Sequence, residues 1–373
     1  TFGPVNVGVY FGKENIEEKD PYFNGEGPNR KGCILCGGCM VGCRHNAKNT
    51  LVKNYLYLAE KNGATILPEK EVIDIHYSKN TYTLNVKKTT GLIRPKNIYN
   101  CKQVVLSGGV MGTVKLLLKC KQKGYLPKLS DTLGNYVRTN SEAILGTHSI
   151  KTDKSKDYTK GIAISAGFHP DKNTKIEMVR YGKGQDVMGR LATLMTDGKS
   201  SMPSIIQLLI KSIKHPIHFL ATLWPFGWAK KSTIILVMQY IDSYLSLDYS
   251  RRWWRLGGRS LNSQLNSDKS IPGKIPIGEQ VATSIAKKMG GFPVAAIPNS
   301  ILNLPTTAHI LGGCRMGENI ESGVIDENLE VYNYPGMYII DGSSVPANLG
   351  VNPSLTITAL SEYAMSQFPE NSN

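Results

Sequence analysis

Two stretches near the end of the chain decide its fold: His309-Ile-Leu-Gly-Gly-Cys-Arg-Met-Gly317, and Met337-Tyr-Ile-Ile-Asp-Gly342, which leads through Val351-Asn-Pro-Ser354 into Leu355-Thr-Ile-Thr-Ala-Leu-Ser-Glu-Tyr-Ala364. Met337 to Ile340 is a short apolar run of strand type, and Asp341-Gly342-Ser343 is a turn. Asn352-Pro353 reads as a helix start, with Asn at the cap and Pro at the first helical position. The first turn of such a helix presents backbone N–H groups with no partner inside the helix, and that end attracts anions. His309 is a candidate base beside it. Taken singly, a His in a Gly-rich loop is most often structural and an Asn-Pro pair is often only a cap. Their joint occurrence in this order gives the functional reading its weight.

The block resembles the C-terminal signature of the glucose-methanol-choline (GMC) flavin oxidoreductases, and within them the cholesterol-oxidase-like branch. There a His in a "HxLGGC" stretch and an Asn before a Pro, after a "DGS" strand end, face the flavin. The resemblance implies FAD as cofactor. It also implies a mixed α/β fold: a Rossmann-like FAD-binding domain carrying an inserted substrate domain built on an antiparallel sheet plus helices. The expected division is 1–140 with 301–373 for the FAD domain and 141–300 for the substrate domain.

Composition agrees with a globular α/β chain: 373 residues, 41% hydrophobic, 37 Gly. The net charge of +15 suggests an anionic partner. No nucleic-acid-binding motif occurs, so the expected partner is a lipid surface and not nucleic acid. Seven Cys, four of them within eleven residues, do not form the even, dispersed pattern of a secreted disulfide framework, and a reducing, cytoplasmic location at the membrane face is expected. No run of eighteen apolar residues occurs, so no spanning helix is expected. The chain opens without Met or a leader and reads as a truncated sequence.

From the start, residues 1–32 read as an irregular loop. Cys33-x2-Cys36-x2-Cys39-x3-Cys43 has the spacing of a bacterial cubane iron–sulfur run, with Arg44 in place of the usual Pro and no second Cys set. The GMC relatives carry a similar "CGxCxxGC" stretch before Ala-Lys, here Ala47-Lys48, in which small residues let backbones pack closely. The expectation is therefore no metal, with a cluster on Cys33, Cys36, Cys39 and Cys43 as the alternative. Asn49 to Asn62 reads as a helix closed by Gly63, with Ala64–Leu67, Glu71–His76 and Tyr82–Val86 as strands. By resemblance the backbone at Val72 meets the adenine of FAD.

Gln103-Val-Val-Leu-Ser107 is a strand leading into Gly108-Gly-Val-Met-Gly112 and a helix over 113–119. It approaches the dinucleotide fingerprint with Ser107 where the first Gly belongs, and Asp131 follows in a loop, poorly placed to hold a ribose. The resemblance makes Ser107, Gly108 and Gly112 a flavin-lining turn, and it leaves the Gly-x-Gly-x-x-Gly unit absent from residues 1–60. It also places Gly134 and Asn140 beside the isoalloxazine, and Asp341, Gly342, Pro353 and Ser354 around the cofactor.

Residues 143–198 alternate short strands with turns. By register with steroid-oxidising relatives Glu177 is a candidate active-site carboxylate; the alternative is an exposed carboxylate paired with Arg180 or Lys175. In 203–229, Ile206, Leu209, Ile210 and Ile213 share one helical face with Lys211 and Lys214 on the other, and a Pro-broken segment adds Phe219, Leu220, Leu223 and Trp224. This fits either a helix in a membrane interface or a core helix of the substrate domain. Arg251-Arg-Trp-Trp-Arg255 is a second basic-aromatic cluster, suited to a headgroup surface or a cation–π stack. A helix over 275–289 ends at Gly290-Gly291.

These readings converge on oxidation of a CH–OH group of a lipid alcohol, foremost a 3β-hydroxysterol. His309 would take the hydroxyl proton, Asn352 would hold the oxygen, and oxygen or a carrier would be the electron acceptor. A long-chain fatty-alcohol oxidase is the alternative. Of another class are a membrane-associated iron–sulfur electron carrier and an inactive fragment.

Overall fold

The computed structural model describes residues 2–150, 156–252, 257–265 and 269–368. Two compact units form: 1–66 with 142–238 and 272–306, and 67–141 with 239–271 and 307–373. The boundaries near 140 and 300 lie close to the expected ones, but 1–66 joins the unit of 142–238 and 239–271 joins the other. Residues 2–4 add an edge strand to the first unit, Phe2 opposite Phe168, and residues 35–37 bond to 161, so the opening segment belongs with the sheet of that unit. Likewise Leu245 pairs with Val137, which carries 239–271 into the second unit.

The first unit is built on a seven-stranded sheet in the order Phe2–Pro4, Ile164–Asp171, Thr174–Val179, Ser232–Gln239, Ala143–Ser149, Gly291–Ala296, Ala192–Leu194. Ala143–Ser149 pairs antiparallel on both sides, with Ile235 opposite Leu145 and Val294 opposite Gly146. The Pro276–Met289 helix packs Ala282 and Ala286 inward and stops where Gly290 turns left-handed at φ 66°. Ala143, Leu145, Ile176, Ile235 and Val237 form the core beneath it.

The second unit centres on a parallel pair, Val104–Leu106 beside Met337–Ile339, with the Gly109–Gln122 helix following the first strand. A three-stranded antiparallel sheet, Lys70–Ser78, Thr81–Lys88 and Lys96–Cys101, lies in the same unit. Ile75, Leu106, Val114, Leu117, Leu329 and Ile339 belong to one buried cluster, which ties the sheet, the helix and the strand pair together.

Several local expectations change. The helix over 49–62 is broken at Asn54, whose side chain accepts from Tyr55 N–H and restarts the coil, so only Tyr55–Lys61 is α-helical. Ala64–Leu67 is exposed and pairs with nothing described, hence no strand. The helix expected over 113–119 begins at Gly109. The final helix runs Ser354–Ser366 with Pro353 at the cap, one residue later than Asn352 predicts.

The largest change concerns 203–224. Two helices form, Ser204–Lys214 and Pro216–Leu223, broken before Pro216 as expected. The apolar stripe points outward: Leu209 is 58% and Ile213 79% exposed, while Gln207 and Leu208 are buried. Lys211 reaches inward and donates to the Met195 carbonyl at 2.7 Å. Trp253, Trp254 and Arg255 lie outside the described residues; Arg252 is 3.8 Å from Asp248. Among the described residues no helix is long and apolar enough to cross a membrane.

Candidate active site

The parallel strands deliver Ser107-Gly108 and Asp341-Gly342 to the same place. Register pairs Ile339 with Leu106, and Ile340 N–H continues the ladder to the Leu106 carbonyl at 3.0 Å. Asp341 then uses its whole carboxylate: one oxygen accepts from Gly109 N–H at 2.9 Å and Thr113 Oγ1 at 2.6 Å, the other from Ser343 N–H at 2.7 Å and Ser343 Oγ at 2.5 Å. Ser107 Oγ donates to the Ile340 carbonyl at 2.9 Å, and Gly108 N–H donates to Thr113 Oγ1 at 3.1 Å. Here the chain's own anion occupies the helix N-terminus. This explains why the helix starts at Gly109, since Asp341 satisfies its first-turn donor. Gly112 lies on the exposed side of that first turn, with open space where a Cβ would stand.

The 309–314 segment threads through the same unit. Leu311 and Arg138 exchange backbone bonds of 2.9 and 2.7 Å, Gly312 N–H donates to the Gly342 carbonyl at 2.9 Å, and Cys314 N–H donates to the Ser343 carbonyl at 3.0 Å. A Cβ on Gly312 would stand 2.3 Å from the Tyr136 carbonyl oxygen, so only glycine allows this approach. Cys314 is fully buried, and burial pushes its thiol up to about 12, so it packs as a neutral side chain. His309 follows directly; its backbone N–H donates to Thr307 Oγ1 at 2.9 Å, and the residue is half-buried.

Asn140 is buried in a left-handed conformation (φ 55°). Its carbonyl oxygen accepts from Leu349 and Gly350 N–H at 3.0 and 2.9 Å, and its amide donates to the Val351 carbonyl at 3.0 Å. It thus clamps the loop that leads straight into Asn352-Pro353. Arg138 and Asn348, which sequence reasoning did not single out, finish that frame. Arg138 donates to the Pro346 carbonyl at 3.0 Å and to Asp242 at 2.7 Å, and the amide of Asn348 donates to the carbonyls of Ile241 and Ser243 at 2.7 and 2.8 Å. The hydrogen bond from Arg138, and then Lys269, holds the Asp242 carboxyl below its ordinary range. The only signal for these residues was their place beside Asn140 and Asn352.

Gly134, at φ 87°, brings its backbone against Leu247, whose carbonyl oxygen would lie 2.3 Å from a Cβ. Val72 lies on the Lys70–Ser78 strand opposite Val86, at the edge of a bulge that ends at Asp74. Asp131 is on an exposed loop, paired with Lys121 at 2.6 Å.

Against FAD, these residues divide. At the Gly109 helix end Asp341 takes the first N–H of the helix. By contrast, Thr139 Oγ1, Asn348 Oδ1 and Arg315 Nε are buried with no hydrogen-bond partner among the described residues. All three attach to the 136–141 segment: Asn348 through Ser141 at 3.5 Å, and Arg315 by stacking 3.8 Å over the Tyr136 ring. A buried polar atom left unmet costs about 1–3 kcal/mol, so three together suit a polar cofactor edge. The Ser354–Ser366 helix has no side-chain cap at its N-terminus, which accords with an anion supplied from outside the chain.

In the first unit, Glu177 is 1% exposed, opposite Gly167, with Lys175 Nζ at 2.8 Å. The alternative of an exposed carboxylate fails on burial, although its pairing with Lys175 holds. Arg180 bonds elsewhere, to the Lys160 carbonyl and Ser165 Oγ. The same unit holds a cavity of about 480 Å³ whose walls include Ile144, Ile234, Met188, Leu191, Trp228 and Val294. Tyr181 and Thr306 are also among its lining residues, and Thr306 Oγ1 is buried without a partner among the described residues.

The fold of the chain resembles one among solved structures. It superimposes with a TM-score of 0.54 on pyridoxine 4-oxidase from Mesorbium loti, covering 88% of this chain and 63% of that one at 14% identity, which speaks to fold alone. Sequence likeness goes further. Residues 27–121 and 252–361 match the N- and C-terminal family models described as GMC oxidoreductase. Over 380 residues the chain is 42% identical to a cholesterol oxidase of Acinetobacter baumannii, covering 99% of this chain and 67% of that protein. A cholesterol oxidase of Mycobacterium tuberculosis matches at 42% over 99% of this chain and 65% of its own length. A long-chain-alcohol oxidase of Arabidopsis thaliana matches at 23% over 86% of this chain and 44% of its own. The chain belongs to the GMC oxidoreductase family, whose members are FAD-binding flavoproteins. It spans about two thirds of the length of the cholesterol oxidases it matches.

Proposed function

We propose that the chain is the substrate-binding and flavin-facing part of an FAD-dependent oxidoreductase that oxidises the CH–OH group of a lipid alcohol, foremost a 3β-hydroxysterol. The observation that carries this reading is the 480 Å³ cavity, which lies within the roughly 300–1,000 Å³ range of small-molecule sites and is lined mostly by apolar residues, with Tyr181 and Thr306 among them. A bulky, nearly apolar molecule with one polar end suits it. The identity to two cholesterol oxidases supports the same class.

When bound, FAD supplies the two-electron acceptor for hydride leaving the alcohol carbon. The work of the chain is to position groups and manage the proton. In this reading His309 takes the hydroxyl proton, and Asn352 holds the oxygen from which it leaves. Asn140, Arg138 and Asn348 fix the 346–351 loop, so Asn352 and the start of the Ser354 helix are set before substrate arrives. Oxygen or a carrier then takes the electrons.

The outward stripe of Ile213, Ile217, Leu220, Trp224 and Phe226, with Lys214, Lys230 and Lys231 nearby in sequence, supports docking on an anionic bilayer as the source of substrate. The net charge of +15 has the complementary sign. Flotation with vesicles separates the cases: binding to phosphatidylserine vesicles that falls at least about tenfold in Ile213→Asp/Trp224→Ser supports the surface, and unchanged binding refutes it.

Steady-state turnover of the flavin-loaded protein tests the reaction. A 3β-hydroxysterol turned over faster than a long-chain primary alcohol supports the sterol reading; the reverse order establishes the fatty-alcohol one. No turnover of either sinks both.

A further inference from the structure

The first unit contains a second feature that alcohol oxidation does not use. Cys33, Cys36, Cys39 and Cys43 are free thiols, and all four line one small cavity together with His45, Lys48 and Gly161. Sequence reading alone favoured close packing of small residues. Four cysteines around one space are more than close packing requires.

The loop that presents them is held in a defined shape. Gly37 N–H donates to the Gly161 carbonyl and Gly161 N–H to the Leu35 carbonyl, both at 2.7 Å. A Cβ on Gly37 would stand 2.3 Å from the Thr159 carbonyl oxygen, and one on Gly182 would stand 2.6 Å from that of Cys36. Leu35 sits at φ 54°, in the left-handed region that a leucine rarely takes. That turn brings Leu35 N–H to 3.4 Å from Cys33 Sγ, and Ala47 N–H lies 3.4 Å from Cys43 Sγ. Amide N–H groups directed at thiol sulfur are what a bound thiolate needs.

The charge around the loop is one-sided. From Glu26 to Glu60 the intervening chain carries Arg30, Lys31, Arg44, Lys48 and Lys53 and no carboxylate. Four thiolates and their metal would form an anionic centre, and these cations offset it. Among the described residues no group of three or more His, Cys, Asp or Glu side chains is placed to hold a single metal ion. A tetrahedral zinc site needs every sulfur on one ion. A cubane cluster takes one thiolate at each of four irons, spreading the sulfurs around a larger body, and the C-x2-C-x2-C-x3-C spacing is one used for it.

We infer that Cys33, Cys36, Cys39 and Cys43 hold a [4Fe–4S] cluster, one thiolate on each iron, giving this GMC chain a one-electron centre in addition to its flavin chemistry. The inference rests on residues of the first unit alone.

The test is iron and acid-labile sulfide analysis of the whole chain purified without oxygen, with electron paramagnetic resonance after dithionite. The expected result is about four iron and four sulfide per chain and a signal from the reduced cluster. Cys36→Ser, at the exposed ligand, should lose or alter that signal, while Cys101→Ser, outside the run, should retain it. Should Cys36→Ser not fold, reconstitution of metal-free native chain with ferrous iron and sulfide decides by the same stoichiometry. Chain that takes up no iron, that binds zinc without sulfide, or whose signal is indifferent to Cys36→Ser overturns the inference. An iron-free chain that oxidises sterol would remove the cluster and leave the proposed function; a clustered chain inert to lipid alcohols would do the opposite.

Discussion

Two helices of the second unit begin at the ends of short Gly- or Pro-marked loops, and their N-termini are treated in opposite ways. At Gly109 the chain supplies its own anion, Asp341, whose carboxylate accepts four hydrogen bonds and closes the turn. At Ser354 there is no side-chain cap, and the loop before it is held from behind by Asn140. The sequence marks both as anion-type sites. A helix end already neutralised stabilises the fold, while one kept open but rigid is suited to receive a ligand.

Removing the built-in anion should have the largest effect on folding. Asp341→Ala strands the donors of Gly109, Thr113 and Ser343, and urea unfolding should report a loss of at least about 4 kcal/mol. A loss under about 1 kcal/mol would mean the Gly109 end is less closed than its bonds indicate. Next comes the close backbone approach at Gly134. Gly134→Ala places a Cβ against the Leu247 carbonyl in a left-handed conformation, and about 3 kcal/mol should be lost in the same assay.

Acid should distinguish the two units. His148 in the first unit is buried beside Ser232, with its pKa lowered to about 4 by burial and then by Lys231. Its folded pKa lies below the ordinary value of about 6.5, so the unfolded chain binds the proton more readily. The associated stability is complete above pH 6.5 and falls away as pH drops towards 4, by about 3 kcal/mol. His148→Gln should flatten that slope, seen by unfolding at pH 7 and pH 4.5.

The smallest effect sharpens the comparison most. Ser354→Asp gives the open helix end an anion of its own. It should raise stability by about 0.5 kcal/mol while weakening FAD binding several-fold by titration. Unchanged FAD affinity would argue that this helix end does not meet the cofactor.

Much of this arrangement was legible in the sequence, because turn chemistry leaves local marks. The strand end at Asp341, the Gly312-Gly313 pair and the Pro-broken helix at 216 all announce themselves through φ requirements or a missing N–H. What was not legible depended on partners distant in sequence. Gly109 starts a helix because Asp341, far along the chain, accepts its N–H. Periodicity identified Ile206, Leu209 and Ile213 as one face but carried no information on whether that face turned inward; Lys211 reaching the Met195 carbonyl shows that it turned outward. Spacing marked the four cysteines but not their common cavity. Arg138 and Asn348 are ordinary surface-type residues in sequence and became framing residues only through carbonyls of other segments.

The central claim is that the block from His309 to Ser354 performs the chemistry, and one measurement addresses it directly: anaerobic mixing of the flavin-loaded protein with a 3β-hydroxysterol, following flavin absorbance in native protein and in His309→Gln. The account predicts bleaching in the native protein and a rate at least about 100-fold lower in the variant, with FAD still bound. A variant that bleaches at the native rate would contradict it.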